Sequence, residues 1–191
     1  MIKVFSFIII LLHPFIVFAK PIIDTKIVHY DIFPNSKNDL ERALFAKTPI
    51  VIKGRRYLGI TNWDVRLNYD TLKSKNSCSA TNLKTVAKII IILPRISKEH
   101  KVNYSTKSSF RKFYNKVKKH EHKHEYYTIQ AAKEIDKKVQ NIKPQNSCKK
   151  LKSKFDKVVG RVIKKYDKKN KDFDAKTRKG YNKKSNLDSY L

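Results

Sequence analysis

The chain has 191 residues, with 44 Lys and Arg against 16 Asp and Glu, for a formal net charge of +28. Its length suits one domain with a filled core rather than two, and its 2 cysteines, far apart in sequence, exclude a zinc knuckle. The charge favours anionic partners, yet a chain rich in Ile and Asn and poor in Gly also fits lysine as a default surface residue, so charge alone assigns no function.

In chain order, Lys3, an apolar run from Val4 and the small-residue end Val17-Phe18-Ala19 have the layout of a secretory signal peptide over residues 1–19, cut after Ala19. The run is shorter than the roughly 20 residues needed to span a bilayer, and Pro14 interrupts it. A secreted or periplasmic mature chain is expected, with a charge of 28 − 1 = +27 once Lys3 is removed. In an oxidising compartment Cys78 and Cys148 would form one disulfide, stabilising by about 4 kcal/mol in the chain-entropy model.

"IVHYDIF" (27–33) has strand composition. "SKNDLERALFAKTP" follows as a short helix capped by Ser36, with Leu40, Ala43 and Leu44 on one face and Lys47-Thr48-Pro49 as its end. "YLGITNWDVRLNYD" (57–70) alternates as a strand with Trp63, Val65, Leu67 and Tyr69 to one side, and Ile89 to Leu93 marks a central strand stopped by Pro94. From Phe110, apolar or ligand-type residues recur at Phe113, Val117, His120, His124, Tyr127, Ala131, Ile135, Val139 and Ile142, the spacing of a long amphipathic helix. A further helix starting near Asn146 and Ser147 carries Leu151, Phe155, Val158, Val162 and Ile163. Beyond Tyr166 the chain is polar and lysine-dense, the composition of a partly ordered segment. The expected fold is α+β: a small antiparallel sheet in the N-terminal half and two long helices in the C-terminal half, forming a single domain over 20–172 followed by a lysine-rich segment, 173–191.

The stretch "KKHEHKHEYY" (118–127) is the densest group of ligand-type side chains. On a helix His120 and His124 stack one turn apart on the apolar stripe, while His122 points to the lysine face. His120-Glu121-x-x-His124 is then an H-E-x-x-H pattern. Two imidazoles at that spacing can reach one tetrahedral zinc, and the glutamate between them can take a proton from water that zinc has acidified. Other chemistry is discounted: the glycines form no phosphate loop, there is no Gly-x-Ser-x-Gly elbow, and neither cysteine lies near a histidine in sequence.

Several elements in order resemble the bacterial family of predicted secreted zinc-dependent proteases, otherwise a domain family of unknown function. They are Tyr30-Asp31-Ile32, Leu40-Glu41-Arg42-Ala43-Leu44, Thr61-Asn62-Trp63-Asp64-Val65 with Leu67 and Tyr69, Cys78, Leu93-Pro94, the H-E-x-x-H helix, Cys148, and Phe173-Asp174-x-x-Thr177-x-Lys179-Gly180. The resemblance covers nearly the whole mature chain. It implies a zincin-like active-site helix and an exported peptidase that cleaves peptides or proteins of the cell envelope, with Zn2+ as cofactor and Glu121 as general base. Two positions depart from the family: Lys123 stands where a small residue is usual, and Lys179 replaces the histidine of a closing motif resembling Tyr-Asp-x-x-Thr-x-His-Gly. With that histidine absent, Asp174 is the expected third ligand beside His120 and His124, ahead of His29 and His100; Glu134, about 15 Å along the helix from His124, is out of reach. The competing expectation is a non-catalytic cationic module that binds anionic polymers or a membrane surface through its lysines and the tail aromatics Tyr166, Phe173, Tyr181 and Tyr190. No specific nucleic-acid site is evident.

Overall fold

Alternation along two long strands sets one face of a sheet. The computed structural model describes residues 20–177; the expected signal peptide, Lys179, Gly180, Tyr181 and Tyr190 lie outside the described residues. In order come β1 (Ile22–Ile32), α1 (Leu40–Lys47), β2 (Val51–Ile52), β3 (Arg55–Arg56), β4 (Ile60–Ser74), β5 (Ser77–Ile96), α2 (Tyr104–Gln140) and α3 (Cys148–Thr177). The class is α+β, with two long helices in the C-terminal half.

The sheet is mixed, which corrects the expected antiparallel one. Its order is β1-β5-β4. β4 runs antiparallel to β5, from Ile60↔Ile92 to Ser74↔Ser77, whereas β1 runs parallel to it, from Ile22↔Val86 to Ile32↔Ile96. A parallel partner needs a long connection, and α1, the β2–β3 hairpin and β4 supply it. Within that hairpin Lys53 and Gly54 both have positive φ, 50° and 75°, the backbone of a tight two-residue turn.

The alternation expected on β4 holds: Val65 is buried, and Trp63, Leu67 and Tyr69 pack against the main core. β5 is central in the hydrogen-bonded order, but it buries Ile89, Ile91 and Leu93 on one face while Ile90 on the other is 43% exposed. The helices cover the first face only. α2 contributes Ala131, Ala132, Ile135 and Val139 to the core, and α3 contributes Leu151, Phe155, Val162 and Tyr166.

Three boundaries differ from the sequence reading. α1 starts at Leu40 with Asp39 at its N-cap, while Ser36 Oγ accepts from the Asp39 N–H one turn earlier. α2 starts before Phe110, at Tyr104, because the Asn103 side chain caps it by accepting from the Thr106 N–H at 2.8 Å. α3 continues past Tyr166 to Thr177. Cys78 and Cys148 form the disulfide, with Cα atoms 5.1 Å apart. It ties the start of β5 to the start of α3, beside a reciprocal backbone pair between Cys78 and Gln145. No described helix is long and apolar enough to cross a membrane.

Candidate metal centre

The site lies where α2, α3 and the beginning of β4 meet, around a cleft of about 290 Å³ lined in part by Tyr57, Gly59, Thr61, Trp63, His120, Glu121, His124, Asn170 and Asp174. β4 is an edge strand. The cleft is walled by the two long helices, the start of β4 and the segment from Ile52 to Gly59 that leads into it.

His120 and His124 stack one turn apart on α2, with Nε2 atoms 3.2 Å from each other. Asp174 enters from α3, its Oδ1 3.2 Å from His120 Nε2 and 3.0 Å from His124 Nε2. The potential ligand atoms of these three residues all lie within 4.8 Å of one another. Ligands about 2.0–2.1 Å from a tetrahedral zinc stand about 3.3–3.4 Å apart, so the three separations suit one small ion.

The outer nitrogens orient the inner ones. His124 Nδ1 meets Asn170 Oδ1 at 2.8 Å. His120 Nδ1 faces Thr177 Oγ1 at 3.4 Å, and that hydroxyl donates its own proton to the Phe173 carbonyl at 2.8 Å. Both neighbours accept, so in the neutral rings Nδ1 carries the proton and Nε2 turns its lone pair inward. Phe173 stacks on His120, centroids 4.8 Å apart at 25°, and holds the ring in place.

Three electron-pair donors facing one point repel unless a cation stands among them. The electrostatics follow. Burial pushes the His124 pKa down. The protonated ring, with a hydrogen on Nε2 as well as Nδ1, donates to both Asp174 and Asn170, and these bonds outweigh burial and hold the imidazole above its ordinary value. Burial works to raise Asp174 as well, and the two histidines reverse this, holding the carboxyl well below the usual range.

Glu121 is only 5% exposed. Its Oε2 accepts from Thr61 Oγ1 at 2.8 Å, and its Oε1 lies where a Cβ on Gly59 would be 3.0 Å away. Burial raises its pKa, partly offset by the Thr61 hydroxyl and the two histidines.

The other histidines stand apart from this group. His29 Nε2 pairs with the Tyr114 hydroxyl at 3.1 Å, His100 Nε2 with the Pro34 carbonyl at 2.8 Å, and His122 Nδ1 with Glu125 at 2.5 Å. Glu134 bridges Lys138 and Lys165, at 2.9 and 2.6 Å. Sequence reasoning passed over Asn170, Gly59 and Thr61 as site residues. Asn170 had a signal, lying one helical turn before Asp174, and Thr61 opens one of the quoted motifs; Gly59 had none.

The model of a family described as bacterial protein of unknown function (DUF922) matches residues 27–180. The match spans most of the chain, including His120, Glu121, His124 and Asp174, and the chain belongs to this family. No curated protein and no solved structure matches it.

Proposed function

We propose that this member of the DUF922 family is an exported zinc-dependent peptidase, with His120, His124 and Asp174 as metal ligands and Glu121 as general base. The observation that carries the reading is the convergence of two Nε2 lone pairs and one carboxylate oxygen, at 3.0–3.2 Å separations, beside a buried glutamate. Two imidazoles and a carboxylate are a donor set found in catalytic zinc sites.

Zinc bound there would supply Lewis acidity, acidifying water and polarising a carbonyl. Glu121, anchored by Thr61, accepts the proton of the attacking water and returns it to the leaving amine. Burial suits it to both tasks by bringing its pKa nearer neutrality. Trp63, Tyr57 and Ile52 line the cleft and would offer the scissile segment an apolar wall.

The test is zinc per chain after purification without chelator, with hydrolysis of a quenched-fluorescent peptide library followed in parallel. One zinc per chain is expected, with loss of binding in His120→Ala and Asp174→Ala. Glu121→Gln should keep zinc and lose about 10²–10⁴-fold in rate. Absence of zinc after dialysis against it would sink the proposal. Zinc retained by Asp174→Ala would remove that residue from the ligand set.

A further inference from the structure

Helix α3 has a second face remote from its buried side. Lys150, Lys154, Lys157, Arg161, Lys164 and Lys168 recur at alternating spacings of four and three, and all six are exposed. At 100° per residue they fall within about 40° either side of one line. The row is about 27 Å long, with a cation roughly every 5 Å.

Three of the four acids of α3 are segregated from this row. Asp156, Asp167 and Asp174 project from another side of the helix. Asp172 is at the far end, bound to Lys168 at 2.8 Å. Off the row, lysines do find acids: Lys152 with Asp156 at 2.7 Å, Lys165 with Glu134 at 2.6 Å, and Lys171 with Asp167 at 2.6 Å. Among the described residues no ion pair joins Lys150, Lys154, Lys157, Arg161 or Lys164 to an acid. Like charges three and four residues apart destabilise a helix, so the row has an internal cost that a bound polyanion would relieve.

We propose that this row binds a linear phosphate polymer along its backbone. The chemistry on the helix separates this partner from two others. An anionic membrane surface is engaged by helices that set apolar side chains beside their lysines, but Phe155, Val162 and Tyr166 are buried on the other side. Single-stranded nucleic acid is normally gripped through aromatic stacking, and no aromatic side chain lies in the row. What remains is a hydrated line of point charges, suited to a repeating phosphate backbone whatever it carries. The row leads toward Lys171 at the rim of the cleft.

The experiment uses the full chain with EDTA present throughout, so the result is independent of any metal. Binding of fluorescein-labelled inorganic polyphosphate is titrated at several salt concentrations. A row variant (Lys154→Gln, Lys157→Gln, Arg161→Gln, Lys164→Gln) is compared with an equal-charge control (Lys73→Gln, Lys75→Gln, Lys84→Gln, Lys98→Gln). The row variant should bind at least tenfold more weakly, with its salt slope reduced by about three; the control should change less than threefold. Far-ultraviolet circular dichroism checks that both keep their helices. Oligothymidylate of equal charge, with no aromatic on the row to stack its bases, should compete no better than polyphosphate. Equal weakening in both variants, or no binding by the unsubstituted chain, overturns the proposal. So does a tenfold preference for oligothymidylate, or for vesicles of 30% phosphatidylglycerol in phosphatidylcholine, over polyphosphate.

Discussion

A Cβ at Gly59 would stand 2.5 Å from Val117 Cγ1 and 3.0 Å from Glu121 Oε1. Val117 is β-branched and packed between two apolar clusters, so it has little room to give. Gly59→Ala should therefore cost about 1–3 kcal/mol, the range for overpacking, and displace Glu121 while leaving the ligands in place. Thermal melting, zinc content and peptide hydrolysis together check this: lower stability, unchanged zinc, reduced rate. Asn170 acts on the opposite side of the centre. Its Oδ1 faces His124 Nδ1, while its buried Nδ2 has no partner. Asn170→Ala should weaken zinc binding about 10–100-fold, as loss of a ligand's outer partner does, whereas Asn170→Asp, which keeps the acceptor, should retain it. Competition with a chromophoric chelator measures both, and equal loss in both variants would show that Asn170 matters only for packing. The histidine pair and Glu121 were legible because four-residue spacing on a helix is a strong local signal. Gly59 was not, because its role depends on a side chain far along the chain.

Elements were legible where their periodicity is apolar and less so where polar groups carry it. α2 was read from Phe110, since its first turns, "YSTKSS", have no apolar stripe and depend on the Asn103 cap. α3 was read only as far as Tyr166 for a related reason. Its inward face continues through Asn170, Phe173, Asp174 and Thr177, residues at helical spacing that contact His120 or His124 at the candidate metal centre. Farther up, Glu134 joins the helices through Lys165, and two lysine hydrogen bonds overcome the effect of burial to lower its pKa to about 2. In the unfolded chain that pKa returns to about 4.3. The stabilisation is thus complete above about pH 4.3 and is lost as pH falls toward 2. Melting temperatures of metal-free protein should show unsubstituted chain above Glu134→Gln at pH 5.5, with the gap narrowing at pH 3. A gap that stays constant would mean the bridge contributes no linked stability.

At the scale of the molecule, strand direction was the feature hidden from the sequence. Composition marks β1 as a strand, but whether it lies parallel or antiparallel to β5 depends on how α1, the hairpin and β4 return the chain. The cysteine pair was legible because a chain with two thiols leaves one pairing. The disulfide closes a separation of 70 residues that holds most of β5 and all of α2. In the chain-entropy model it contributes about 4 kcal/mol, so Cys78→Ser/Cys148→Ser should lose about that much in urea unfolding. Metal binding should behave differently. Cys148 and Asp174 are near opposite ends of α3, about 39 Å apart along the axis, and the face between them is held by Leu151, Phe155, Val162 and Tyr166. While the double variant remains folded, its zinc affinity should therefore change less than about threefold, or about 0.7 kcal/mol. A parallel fall in affinity and stability would instead show that the covalent tie sets the position of α3 against α2, and with it the meeting of Asp174 with the two histidines.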